Sequence, residues 1–176
     1  MEYMLLDVSE METYKGESNV KGYEDKIEIL SYSWAVSNPI QSSPSNTGRT
    51  TGRPNFGELV ITKKLDLTSP LFAFSCAAAE NIGTIKLFLL RQDAAASGDD
   101  QRNLLYMTYI LANTLVSSVT VGGSGDIPIE TVTFNYSAIN WEYHAQKTEI
   151  AEEANVPKGW DLATNAPADA AAGGGE

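Results

Sequence analysis

The sequence predicts a mainly β, predominantly antiparallel domain of about seven strands with one short α-helix and one extended loop. Three observations predict it. Apolar and polar residues alternate with period two through most of the chain, the pattern of strands with one buried face. One segment near residues 69–79 departs from this towards helix-forming composition. A third stretch, "NPIQSSPSNTGRTTGRP" at 38–54, interrupts the strands with no periodicity, no aromatic and no acid.

In "IEILSYSWAVS" the pattern puts Leu30, Tyr32, Trp34 and Val36 on a core face and Ser31, Ser33, Ala35 and Ser37 on a small, hydroxylated one. The run 38–54 follows, too long and featureless for an ordinary connection; such stretches are functional or disordered. Its only sizeable aliphatic side chain is Ile40, and its only charges are Arg49 and Arg53. In "FGELVITKKLD", Leu59, Ile61 and Leu65 alternate against Val60, Thr62 and Lys64. "TSPLFAFSCAAAEN" reads as a helix of about 11 residues. Ser69 is placed as N-cap with Pro70 at N1, Leu71, Phe74, Ser75 and Ala78 share a face, and Asn81 and Gly83 end it.

Strands resume with "TIKLFLLRQ", apolar enough to be covered on both faces, then a polar turn in "DAAASGDDQRN". "LLYMTYILANTLVSSVTV" is too long to be one straight strand and should bend or bulge near Asn113. After the turn "GGSGDIP", the pattern alternates Val132, Phe134, Tyr136 and Ala138 against Thr131, Thr133, Asn135 and Ser137. Burying Ile139, Trp141 and Tyr143 as well requires a register shift before Ile139. Residues 147–165 are polar, with Trp160 expected to dock on the body, and "APADAAAGGGE" at 166–176 reads as a low-complexity, mobile tail. So long a strand set closes into a barrel or leaves edges to be managed.

At 176 residues the chain suits one domain. A formal charge of -11 speaks against nucleic acid, whose binders concentrate Lys and Arg. No apolar run reaches the roughly 20 residues needed to span a bilayer, so no membrane insertion is expected. The N-terminus has no basic region followed by an apolar one, so no cleaved signal is expected. The lone Cys76 excludes an internal disulfide framework.

Chemistry is expected to be absent. His144 is the only histidine, and nothing in sequence pairs it with Cys76; both read as structural. "GGSG" at 122–125 lacks the Lys-Ser/Thr ending of a phosphate loop and reads as a turn. One His and one Cys make no zinc site, and Asp99–Asp100 and Glu152–Glu153 read as solvated surface. No catalytic residue, metal or cofactor is assigned. What stands out instead is two small, uncharged polar faces, Ser31, Ser33 and Ser37, and Thr131, Thr133, Asn135 and Ser137. Solvated sheet faces usually carry Lys and Glu. These suit either a wet channel or a contact with a partner sheet.

"YKGESNVKGYEDKIEILSYSWAVSNPI" resembles the opening of the haemolysin-coregulated proteins, the Hcp family. "LDLTSPLFAFSCAAAENIGTIKLFLLR" is similar to that family's strand–Ser-Pro–helix–strand unit, "LVSSVTVGGSGDIPIETVTFNYSAINWEY" to its Val-Ser-Ser-Val, Gly-rich turn and aromatic strand, and "GWDLATN" to its closing motif. The "AAASGDDQ" insertion and the residues after Asn165 depart from the pattern. The resemblance implies a single domain over 1–165, a closed antiparallel β-barrel of two packed sheets with a flanking helix. It further implies a homohexameric ring that stacks into the inner tube of the bacterial type VI secretion system. The tube would meet a spike protein, a contractile sheath and secreted effectors carried in its lumen. Such a subunit is cytoplasmic before firing and then expelled without a cleaved signal. The resemblance also gives the loop a role, contact with the next ring through Asn38, Gln41, Arg49 and Arg53. A tail-tube protein of a phage-like or extracellular injection particle, or a small ligand-binding β-barrel, are the alternatives.

Overall fold

The computed structural model describes residues 2–41, 50–92, 103–145 and 155–168. In chain order they form β1 (Glu2–Val8), β2 (Ile27–Ile29), β3 (Ser31–Ser33), β4 (Val36–Ser37), β5 (Ile40–Gln41), β6 (Thr50–Thr51), β7 (Asn55–Phe56) and β8 (Leu59–Lys64). Then come α1 (Ser69–Ala78), β9 (Ile85–Gln92), β10 (Asn103–Ala112), β11 (Leu115–Gly122), β12 (Ile129–Asn135), β13 (Ala138–His144), β14 (Asn155–Asp161) and β15 (Ala166–Ala168). A seven-stranded sheet runs β15-β14-β13-β10-β9-β1-β2 and packs on a four-stranded sheet, β11-β12-β8-β3. Every pairing is antiparallel. Neither sheet closes on itself through a ladder among the described residues; the barrel-like enclosure comes from packing and from corners where the chain changes sheet.

Three corners explain where simple alternation gives out. At Asn113 (φ 51°) the expected long strand breaks into β10 and β11, one in each sheet. At Tyr136–Ser137 the chain leaves the four-stranded sheet, so burial passes from Val132, Phe134 and Tyr136 to Ile139. That is the expected register shift. The third corner, at Leu30, was not expected. Ile27 and Ile29 are buried from the seven-stranded sheet, the phase flips, and Tyr32 and Trp34 turn inward from the other side. Leu30 is therefore 45% exposed rather than in the core, and Val36, beyond the sheet, is exposed too.

The core joins Leu6, Val8, Ile27, Ile85, Leu87, Leu111 and Ile139 of one sheet to Leu59, Ile61, Val132 and Phe134 of the other. Each such side chain contributes about 1.5–3 kcal/mol when fully buried. Helix α1 adds Phe72, whose ring lies 5.1 Å from Tyr14 and 5.7 Å from Phe134. Its buried residues are Ser69, Phe72 and Ser75, so the helical face is rotated from the expected one and Phe74 is 66% exposed. Thr68, not Ser69, takes the N-cap position, and its N–H is satisfied by the Asp66 carboxylate at 2.7 Å. Ser69 is drawn inward by buried partners described below. The helix ends at Ala79, which adopts the left-handed conformation at φ 50°.

Two further expectations change. The run 38–54 is not wholly aperiodic: β5 pairs with β6 within it and β4 with β7 at its flanks, making a two-stranded arm. The register slips by one residue between Ser37↔Asn55 and Ile40↔Thr51, around Pro39 and Pro54, which lack the N–H a ladder needs. Ala166–Ala168, the start of the expected tail, pair with β14 as an edge strand. Residues 169–176 lie outside the described residues, as do Arg49, Asp99–Asp100 and Glu152–Glu153.

Candidate assembly surfaces

Register turns two of the sequence-level polar faces into one surface. Ser31 pairs with Thr62, Thr62 with Thr131, and Thr131 with Thr120. The next row in the same direction is Ser33, Val60, Thr133 and Ser118. Seven of these eight positions are Ser or Thr, and together they cross the whole outward face of the four-stranded sheet. Ser31, Ser33, Thr131 and Thr133 thus meet on one face. Ser37 does not join them, because it lies on β4 in the arm. Nor does Ser137, which stitches a corner: its hydroxyl accepts from Asn113 Nδ2 at 2.9 Å, and its N–H donates to Ala112 O at 3.1 Å. Asn135 sits at the margin, donating to Glu58 Oε1 at 3.0 Å, while Ser117 donates to Glu58 Oε2 at 3.1 Å.

The two rows carry no charge, but exposed Lys64 of β8 continues their outward phase at one end and Glu58 bounds them at the other; the two edge strands carry no charge. β11 reads Leu-Val-Ser-Ser-Val-Thr-Val-Gly, and β3 reads Ser-Tyr-Ser. Neither carries the Lys or Pro that usually blunts an edge. The seven-stranded sheet ends on β2, which carries Glu28, and on β15, which has Pro167 at its centre; both are three residues long, as β3 is.

At one end of the four-stranded sheet the arm is rooted in an aromatic clamp. Phe56 of β7 lies between Trp141 at 6.4 Å and Trp160 at 6.3 Å, nearly parallel to both. Trp34 closes over Trp141 at 5.4 Å. The Trp34 indole N–H donates to the Tyr136 hydroxyl at 2.6 Å, which donates to Gly57 O at 2.7 Å. Desolvation raises the Tyr136 pKa, and desolvation followed by the neighbouring Tyr32 pushes Tyr109 up to about 12. Arg53 donates to Leu162 O, so this expected contact residue ties the arm to the β14–β15 turn of its own chain. Asn38 is exposed, and Gln41 pairs with Thr50.

Alternation also contained a pair that the sequence reading missed. Lys63 shares the inward phase of Leu59 and Ile61, and Glu130 that of Val132 and Phe134; both are fully buried. They face each other across β8 and β12 with Nζ 2.5 Å from Oε1. Asp66 Oδ1 lies 2.7 Å from the same Nζ. Ser69 donates to Glu130 at 2.7 Å and accepts from Lys63 at 3.2 Å, which is why α1 begins with its serine turned inward. Alternation places Leu59, Ile61 and Leu65 on that inward phase and passes over Lys63; Leu65, beyond the end of β8, is 36% exposed.

His144 Nε2 lies 3.4 Å from Thr108 Oγ1 and 3.9 Å from Glu142 Oε2 on the seven-stranded sheet, and Cys76 is on α1. Among the described residues no cluster of three or more His, Cys, Asp or Glu could hold a metal, and no helix is long and apolar enough to cross a membrane.

Residues 4–143 match the family described as type VI secretion system effector, Hcp. The chain is similar to Protein hcp1 of Pseudomonas aeruginosa, 32% identical over 157 residues that cover 88% of this chain and 93% of that one. Among solved structures it is similar to a type six secretion system protein, at TM-score 0.80 and 24% identity over 96% of this chain and 100% of that one. It is also similar to Hcp1 from Salmonella typhimurium, at TM-score 0.68 and 22% identity over 95% and 99% of the two chains. At such identities the structural likeness speaks for the fold.

Proposed function

We propose, from the premise that this chain belongs to the Hcp family of the type VI secretion system, how its surfaces build a secretion tube. The family is one of secreted structural proteins, not enzymes, and the work is done by shape. Six copies join side by side through the uncharged edges of the four-stranded sheet, β11 of one against β3 of the next. The rows of Ser and Thr then line a continuous channel. The observation that carries this reading is the coincidence of two Ser/Thr rows with two edges free of charge and proline on one sheet.

The lining suits a conduit. Hydroxyls keep the wall wet, and along the two rows no fixed charge traps or excludes a cargo by sign; Lys64 and Glu58 flank the rows on the same phase of β8. Rings stack through the arms inside a contractile sheath, behind a spike, with effectors in the lumen. The subunit waits in the cytoplasm and is expelled with its cargo. No residue of the described chain is given a catalytic role.

Native mass spectrometry with hydrogen exchange on the full chain tests the ring. A six-copy species should form, and β11 amides that exchange in the dissociated chain should become protected within it. Assembly without any change along β11 would reject the edge-to-edge arrangement.

A further inference from the structure

Helix α1 is apolar on two sides. Its inward side places Phe72 in the core between Ser69 and Ser75, whereas Pro70, Ala73, Phe74 and Ala77 are exposed at the i, i+3, i+4, i+7 spacing of a helical stripe. Leu67, just before the helix, extends the stripe at 70% exposure, and Phe74 is 66% exposed. The ten residues of α1 include no charge. A helix that is hydrophobic all round is a buried one, yet the single chain covers only one side of α1.

The position of the stripe says what covers the other. Helix α1 lies along β11, one edge of the four-stranded sheet. It begins where Ser69 meets Lys63 and Glu130, and the chain leaving it bridges from Asn81 to Leu115. The opposite flank carries β3 and the corner at Leu30, 45% exposed in the single chain. The Leu30 N–H donates to Thr62 O at 2.7 Å, beside Lys63, so Leu30 and Leu67 stand at the same end of the sheet. Rotation about a ring axis carries each copy onto the next without changing height. Surfaces on opposite flanks of one subunit therefore meet in a ring only when they share a level, as these do. Depth agrees as well: α1 connects β8 to β9 and Leu30 connects β2 to β3, so both lie where the chain passes between the four-stranded sheet and the seven-stranded one.

We infer that the α1 stripe is a second lateral contact of the ring, in which Leu67 and Phe74 of one copy close over Leu30 of the next. The contact presupposes the ring proposed above and lies behind the β11–β3 junction, away from the channel. Exposed apolar patches of this kind mark interaction sites. The chemistry suits a second copy of the chain. Copies that each carry a net charge of -11 repel one another, and an uncharged stripe meeting a leucine adds nothing to that repulsion while removing apolar surface from water.

Cross-linking in the full chain tests the contact. Leu30→Cys and Phe74→Cys are combined with Cys76→Ser, and the protein is treated with a short bifunctional maleimide. The expected result is a covalent ladder that stops at six chains and is absent from either single-cysteine variant. A ladder running past six puts the contact between rings and overturns the inference, as do annuli by electron microscopy with no ladder; in both cases the ring reading stands. Absence of annuli from the unaltered chain overturns the ring and the contact together. Phe74→Glu gives a second measure, because a side chain so exposed is changed without touching the core of the single chain. Native mass spectrometry should find the six-copy species lost in Phe74→Glu and retained in Phe74→Leu. A six-copy species as abundant in Phe74→Glu as in the unaltered chain also overturns the contact.

Discussion

Replacing Lys63 by Met should unfold this protein more readily than any surface substitution could. Lys63 and Glu130 are both fully buried, 2.5 Å apart, on facing positions of β8 and β12. A methionine fills much the same volume but leaves the Glu130 carboxylate buried without a counter-charge, and Asp66 without its partner. Breaking a buried pair in this way costs about 3–5 kcal/mol. Against a total stability on the order of 5–15 kcal/mol, that is a large fraction. For a chain of this size it corresponds to a fall in Tm of roughly 6–20 °C. Adding Glu130→Leu removes the stranded charge, so the double variant should lose less than Lys63→Met alone, even though Ser69 then lacks its acceptor. The assay is urea unfolding followed by tryptophan fluorescence at one fixed protein concentration, since assembly adds concentration-dependent stability. A loss below about 1 kcal/mol for Lys63→Met, or a double variant as unstable as the two single losses added, would refute the reasoning.

Tyr136→Phe removes the acceptor of the Trp34 indole and the donor to Gly57, and should cost about 1–3 kcal/mol in the same assay. A Cβ at Gly159 would sit 1.8 Å from Asn140 Oδ1 and 2.9 Å from Ala168 O. Gly159→Ala should therefore lower Tm, by an overpacking cost of about 1–3 kcal/mol. The tyrosine shifts predict alkaline behaviour: Tyr14, Tyr23 and Tyr136 are raised by desolvation and Tyr109 reaches about 12. Groups raised in the folded state give stability that is complete below their unfolded pKa near 10 and is lost as pH climbs towards 12. Unfolding midpoints should be flat from pH 8 to about 9.5 and fall steeply above 10. A ring multiplies a charge of -11 per chain, so sedimentation should show tighter ring association as salt rises, by screening over about 8–10 Å.

How far the sequence carried the fold can be judged at its corners. Within one strand, alternation is reliable because side chains strictly take opposite faces. It found the inward Val132, Phe134 and Tyr136, and the need for a break before Ile139. Asn113 could be suspected because asparagine tolerates the left-handed backbone. Leu30 gave no such warning. No glycine, proline or asparagine marks that corner, and only the tertiary packing of two sheets decides it. The arm was hidden for another reason: its ladders are two residues each, below any period that can be counted, and interrupted by prolines. As for the surfaces, Ser31, Ser33, Thr131 and Thr133 were identifiable one strand at a time. Their union into rows with Thr62, Thr120 and Ser118 depends on the strand order β11-β12-β8-β3, which alternation does not contain. Lys63 and Glu130 were legible in principle, since each repeats the period of its buried neighbours. Lys63 is passed over between Ile61 and Leu65, which share its phase, because a charge is rarely fully buried unless paired and the partner lies 67 residues away.

Negative-stain electron microscopy of the purified full-length chain tests the central claim most directly. Association into closed rings predicts six-fold annuli with a stain-filled hole, present at micromolar concentration and more abundant with added salt. Uniform, hole-free particles of single-chain size at the highest attainable concentration would contradict it.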